Sequence, residues 1–350
     1  MARKRILAGV KREPKTKQSK PVNDATHSPL TLAIASQNSE RIEELLDKGA
    51  NPNKPGLNGH PHVHVATSID NAEILKLLIR YGANVDATNS LQQTALHIAS
   101  SQGKLKCLKV LLNCGANIDS TDDTGCTPLD VATYKCNIEI METLIDSGAD
   151  LEKKDKNGDS PFYNASNRQQ IEVMTKLLDK GADVNTRSSS TGLTPLQLAV
   201  FVGHLNVVQK LLEYKADPCM QDWRGQSPLY VTALHDKGKF AEVLLRYKAN
   251  PNVQHSDNLF TPLHVAACYE HSYVMDKLLE YGANPNIPDM SGMSPLHWAV
   301  IKKNLMIGQR LLEFGANVDM KSHYGKTVLE IAFSKKHYDM IRMIVHKAFQ

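Results

Sequence analysis

A short phrase returns ten times along this chain on a period of about 33 residues, and that period limits the possible folds before composition is considered. Its clearest copy is Thr194-Pro195-Leu196-Gln197-Leu198-Ala199, followed by Leu211-Leu212 and then Lys215-Ala216-Asp217. Copies begin at Ser28, Pro61, Thr94, Thr127, Ser160, Thr194, Ser227, Thr261, Ser294 and Thr327. Successive starts lie 33 residues apart except for two steps of 34, from Ser160 to Thr194 and from Ser227 to Thr261. A unit of this size cannot bury its own apolar face, whereas stacked copies cover one another. The 350 residues, which by length alone suggest two or three domains, therefore predict one linear stack.

The unit starting at Thr194 shows how local chemistry builds the repeat. Thr194 is a good N-cap, because its hydroxyl can accept a free N–H of the first helical turn. Pro195 loses nothing at the first helical position, where its missing N–H would have no partner. Leu196 and Ala199 lie three apart on one helix face, and the small Ala lets a neighbouring helix approach. Gly203-His204 ends that helix. A second is predicted from about Leu205 to Tyr214, with Val207, Val208, Leu211 and Leu212 as its apolar stripe. Ala216-Asp217-Pro218 carries turn chemistry toward the next unit.

Three copies, Thr94-Ala95-Leu96-His97-Ile98-Ala99, Thr261-Pro262-Leu263-His264-Val265-Ala266 and Ser294-Pro295-Leu296-His297-Trp298-Ala299, resemble the T-P-L-H-x-A signature of ankyrin repeats. Gly-Ala-Asn/Asp follows at 49, 82, 115, 148, 181, 282 and 315, and the resemblance runs from about residue 26 to 350. It implies an all-α solenoid of about ten stacked ankyrin units, each a helix-turn-helix followed by a β-hairpin finger, with fingers and first helices lining a concave face. Layers roughly 8–10 Å apart would give a stack about 80–100 Å long. The implied organisation is a basic, disordered N-terminal segment, 1–25, followed by an ankyrin repeat domain, 26–350. Its units start near 23, 56, 89, 122, 155, 188, 222, 255, 289 and 322. The implied function is a non-catalytic scaffold that binds a partner protein on its concave face and works as a monomer.

Composition narrows the alternatives. No stretch approaches the 18 or so apolar residues of a membrane span, and Met1 to Val10 lacks the apolar core of a secretory signal. The six cysteines, at 107, 114, 126, 136, 219 and 268, form no C-x-x-C pair and read as reduced thiols of an intracellular protein, cytoplasmic or nuclear. Residues 1–21 hold eight Lys/Arg against one Glu, +7, and the remainder 33 basic against 36 acidic residues, −3. The overall excess of base is thus no argument that the body binds nucleic acid. The segment Arg3-Lys4-Arg5, Lys11-Arg12, Lys15, Lys17 and Lys20 resembles a loose bipartite nuclear import signal, which suggests a nuclear or transcription regulator as one alternative function. A substrate-recognition adaptor of a ubiquitin ligase is another; against it, the last unit ends in its second helix near Gln350, leaving no room for an appended recruiting box. No catalytic or nucleotide-binding motif appears, so no catalytic residue and no cofactor is assigned. His60, His62 and His64 would suit zinc in an extended segment. His64 is a signature histidine, however, and no metal site is expected.

Departures from the repeat locate the predicted face. The signature His stands at 64, 97, 264 and 297 and is replaced by Asp130, Tyr163, Gln197 and Tyr230. The helix-ending Gly becomes Lys215 and Lys248, where a left-handed backbone costs a non-glycine residue about 1 kcal/mol. The two steps of 34 place an extra residue in the fingers at Ser188–Thr191 and His255–Asn258. Surface positions that are small or polar early on (Ala35, Ser36, Ser68, Ser101, Gln102, Asn167, Arg168) become large later: Phe201, Val202, Trp223, Leu234, Phe260, Tyr269, Met290, Met293 and Ile301. Large apolar and aromatic side chains at positions that need not be buried predict an interface on units six to nine. Phe201, Val202, Trp223, Leu234, Phe260 and Tyr269 are its anchors, and Lys215 and Lys248 its charges. Leu177-Leu178-Asp179-Lys180-Gly181-Ala182-Asp183-Val184-Asn185 further resembles ankyrin segments modified by an asparaginyl hydroxylase, which marks Asn185.

Overall fold

The computed structural model describes residues 28–56 and 59–348, so the basic N-terminal segment lies outside the described residues. Two short helices form in every unit. The first five pairs are Pro29–Ala35 and Ser39–Asp47, His62–Ser68 and Ala72–Arg80, Ala95–Gln102 and Leu105–Asn113, Pro128–Tyr134 and Ile138–Asp146, and Pro161–Asn167 and Ile171–Asp179. The second five are Pro195–Val202 and Leu205–Glu213, Pro228–Leu234 and Gly238–Arg246, Pro262–Tyr269 and Ser272–Glu280, Pro295–Ile301 and Leu305–Glu313, and Val328–Ser334 and Tyr338–Ala348.

The sixth residue of the phrase explains the stacking. It is Ala in nine units and Thr232 in the other, and none of the ten is more than 4% exposed. With so little bulk there, each first helix packs closely on the next, more closely than successive second helices do. The stack therefore bends toward the side that carries the first helices. Leucines from both helices, such as Leu196, Leu211 and Leu212, fill the space between layers as one continuous core.

Three sets of hydrogen bonds tie each unit to its neighbours. His97 accepts the N–H of its own N-cap Thr94 at 3.1 Å and donates from Nε2 to the carbonyl of Cys126 in the next finger at 3.0 Å. His264 repeats this with Thr261 and Met293, and Gln197 does so with Thr194, Met220 and Gln226. A second set runs backward. Asn137, Lys237, His271 and His337, each just before a second helix, donate to carbonyls at the end of the preceding unit's first helix. These bonds satisfy acceptors that a helix C-terminus leaves open. In the third set, Asn53, Asp86, Asp119, Asn185, Asn252 and Asn286 each accept the backbone N–H at the matching turn of the following unit. At Cys219 a thiol sulfur takes this place, at 3.2 Å from the N–H of Asn250.

The fingers differ from the expected hairpins. Among the described residues there is no β-strand, only an isolated bridge between Lys321 and Thr327. A single backbone bond closes each finger, as from Asp122 N–H to Cys126 O at 2.9 Å. Inside the turn, one Asp122 carboxylate oxygen accepts the N–H groups of Thr124 and Cys126. The side chain thus satisfies donors that a strand partner would otherwise take. The two longer fingers close over one more residue, Ser188 N–H to Leu193 O and His255 N–H to Phe260 O, which places both extra residues in the finger tips.

Candidate partner-binding face

The face that carries the first helices is bordered by the fingers on one edge and by the turns between first and second helices on the other. Sequence register assigned six apolar residues of units six to eight to it, and the structure divides them into two groups. Trp223 is 63% exposed, Tyr269 56% and Val202 45%, whereas Phe201, Leu234 and Phe260 are half-buried against the core. Phe201 lies edge-on to His235, with ring centres 5.7 Å apart. Phe260 stacks on His264 and meets the edge of Trp298, both at 5.3 Å. The indole N–H of Trp298 donates to Asp289 at 2.9 Å. Rings of the same or the next unit thus hold Phe201 and Phe260.

Trp223 is held in place from below. A Cβ added at Gly192, in the preceding finger, would come within 2.4 Å of the indole, and Gly192 has φ +71°. Backbone conformation and the close approach of the ring both require glycine there. Tyr269 stacks on His271 with ring centres 6.0 Å apart. Met290 and Ile301 extend the face into unit nine, Met290 exposed and Ile301 half-buried.

Lys215 and Lys248 are exposed, and both have the left-handed backbone expected of their position, φ +62°. They follow the second helices. A nine-residue helix, about 13 Å long, therefore separates their end of the helix pair from the end that holds Phe201, Leu234 and Tyr269. A left-handed non-glycine residue is also not special to these lysines, since Gln37, Asp70, Cys136, Gln169 and Glu270 adopt it in the turns after first helices. Asn185 is half-buried in the turn ladder, its side-chain oxygen 2.9 Å from the N–H of Asp217.

Two exposed aromatics on this face escaped the sequence reading. Tyr134 occupies the register of Phe201 in unit four and is 46% exposed, with the Arg168 guanidinium 3.9 Å over its ring. A groove of about 460 Å³ beside it is lined by Asp122, Asp130, Asp155, Arg168 and Gln170. Tyr324, in the last finger, is 76% exposed. The register that marked Phe201 would have marked Tyr134 as well.

The titratable groups beneath this face serve structure. Burial holds His64 and His264 down to about 4 and lowers His62, His97 and His297, so these rings remain neutral donors and acceptors. His62 bonds through both nitrogens, to the Thr31 hydroxyl and the Pro52 carbonyl, each at 2.9 Å, and His64 Nε2 donates to Ala87 O. Those contacts occupy both nitrogens of His62 and leave His64 only its buried Nδ1. Among the described residues no group of three or more His, Cys, Asp or Glu is placed to hold a metal ion. Burial pushes the Cys107 and Cys126 thiols up to about 12, far from a reactive thiolate. All six cysteines are free thiols. Two carboxyls are exceptions to quiet chemistry: burial, with Asp155 and Asp122 nearby, pushes Asp130 up to about 7, and burial, with Asp155 nearby, pushes Asp159 up to about 6.

No helix among the described residues is long and apolar enough to cross a membrane. Against known proteins, the model of the family described as ankyrin repeats (3 copies) matches residues 63–155, 137–222, 214–289 and 288–350. No curated protein sequence matches the chain. Among solved structures, the crystal structure of the ankyrin repeat domain of Bcl-3, described as a unique member of the IkappaB protein family, is similar. It is 25% identical, with a TM-score of 0.56, covering 72% of this chain and 98% of that one. A modest score over a long stack is expected, because small differences in rotation per unit accumulate along a solenoid. With the signature, the helix pairs, the inter-unit bonds and a family model spanning most of its length, the chain belongs to the ankyrin repeat family.

Proposed function

We propose that this chain is a non-catalytic interaction scaffold that binds a partner protein across the first-helix face of units six to eight. One observation carries this reading: Trp223, Tyr269 and Val202 stand exposed in the same units as half-buried Phe201, Leu234 and Phe260, where a solvated surface would favour polar side chains. Rigid aromatics lose little freedom on binding, and a preformed face keeps the ordering cost of association low. Trp223→Ala combined with Tyr269→Ala should weaken capture of the principal partner at least about tenfold, near 1.4 kcal/mol, while thermal unfolding stays within a few degrees of the parent. Undiminished binding by a folded double variant would move the site elsewhere.

A second reading, a nuclear or transcription regulator, rests on the +7 charge of residues 1–21. Deleting those residues should abolish nuclear accumulation of a fluorescent fusion. A distribution unchanged by the deletion removes this reading without touching the first.

A further inference from the structure

We propose that units nine and ten carry a docking strip for an extended acidic protein segment, read by the lysine pairs Lys302–Lys303 and Lys335–Lys336. The proposal deepens the scaffold reading by naming the partner's chemistry at one end of the same face.

Each pair sits in the turn between the two helices of its unit, at the same register 33 residues apart. All four lysines are exposed, and none is ion-paired among the described residues. Lys321 and Lys326, on the last finger, are also exposed and without an ion pair, and Tyr324 and Phe333 stand on the same unit at 76% and 58% exposure. Of the nearby carboxylates, Asp339 is exposed three residues from Lys336, and two others are engaged. Glu330 accepts the N–H of Thr327 at 2.8 Å, and Asp289 is buried under the Trp298 indole. Six lysines against three exposed carboxylates, Asp319, Glu330 and Asp339, leave the strip a net positive charge.

Geometry supplies the form of the ligand. Adjacent layers of helices lie about 8–10 Å apart. In a polyproline-type extended chain, with three residues per turn and a rise of about 3.1 Å, every third side chain returns to the same edge after about 9 Å. Carboxylates three residues apart therefore match the step from one lysine pair to the next. The strip also has a direction. The same turn holds Glu270 in unit eight, and Asp236 beside Lys237 in unit seven, so an acidic stretch is favoured over units nine and ten and repelled one unit earlier. That reversal selects a short acidic segment joined to an apolar one over a long polyanion such as nucleic acid.

The test uses the full chain and a fluorescein-labelled peptide of Glu-Ala-Pro triplets, read by anisotropy. It is compared with a Lys-Ala-Pro peptide and with oligothymidylate. The Glu peptide should bind, weaken as salt rises from about 0.05 to about 0.3 M, and lose at least tenfold in affinity on Lys303→Glu with Lys336→Glu. Both substitutions suit the backbone, since Glu270 holds the same left-handed turn position in unit eight with φ +65°. No binding of the Glu peptide, equal binding of the Lys peptide, tighter binding of oligothymidylate, or indifference to the double reversal would each overturn the proposal. The Trp223→Ala, Tyr269→Ala variant is titrated with the same peptide and with the principal partner. Loss of peptide binding on charge reversal, with no loss of the partner in the aromatic variant, leaves the strip standing and removes the anchors; the opposite pattern removes the strip alone.

Discussion

Replacing Asp130 by Asn should stabilise the middle of the stack, and the gain should grow with pH. At this register His97, Gln197 and His264 accept an N–H from their own N-cap and donate forward to the next finger. Asp130 keeps the first half of the arrangement, accepting the Thr127 N–H at 2.8 Å and its hydroxyl at 2.9 Å. Its other oxygen is buried and without a partner, and the residue is only 6% exposed. Its carboxyl is pushed up to about 7 from an ordinary 3.8, so the charged form burdens the folded state. That penalty is absent below the unfolded value, builds as pH rises between the two values, and levels off above the folded one. Evaluated from these two values, it is on the order of 2 kcal/mol near pH 5 and 4 kcal/mol near pH 8. Asparagine retains the acceptor and supplies a donor at every pH. Urea unfolding of both proteins near pH 5 and pH 8 gives the difference in stability. Hydrogen exchange in units four and five localises it, since repeat arrays can open locally. An Asn variant no more stable than the parent near pH 8, or a gain that does not change with pH, would refute the reasoning.

Three further outcomes follow from individual residues. Gly192→Ala should destabilise the chain by about 1–2 kcal/mol, through its left-handed backbone, and should shift the fluorescence of the indole it displaces; an unchanged emission spectrum would contradict the contact. Pro61→Thr should stabilise by about 1 kcal/mol, because it restores both the cap hydroxyl and an N–H for the buried, unpartnered Nδ1 of His64; a lower melting temperature counts against this. Asn185 should gain one oxygen in cells that contain an asparaginyl hydroxylase, and mass spectrometry finding it unmodified there would remove the assignment.

How far the sequence could be read depended on whether a position's fate is set within its own unit. N-caps, first-position prolines, the small sixth residue and the left-handed lysines all follow from local backbone chemistry, and each sits where the register placed it. The fingers were less legible, because whether two short arms pair as strands depends on what else satisfies their N–H groups; here side chains such as Asp122 do so. Exposure was least legible of all. Phe201 and Val202 are neighbours at the end of one helix, yet His235 of the next unit covers the ring of the first and leaves the second exposed. Their difference lies 34 residues from the first and 33 from the second, in a side chain whose orientation the period does not specify. The same limit explains the lysines. Lys215 and Lys248 stood out because they broke a glycine rule, whereas Lys302, Lys303, Lys335 and Lys336 broke none, since their turn accepts almost any residue. What sets them apart is that two adjacent units each place a pair of exposed lysines without an ion pair at the same turn, and that property belongs to the stack as a whole.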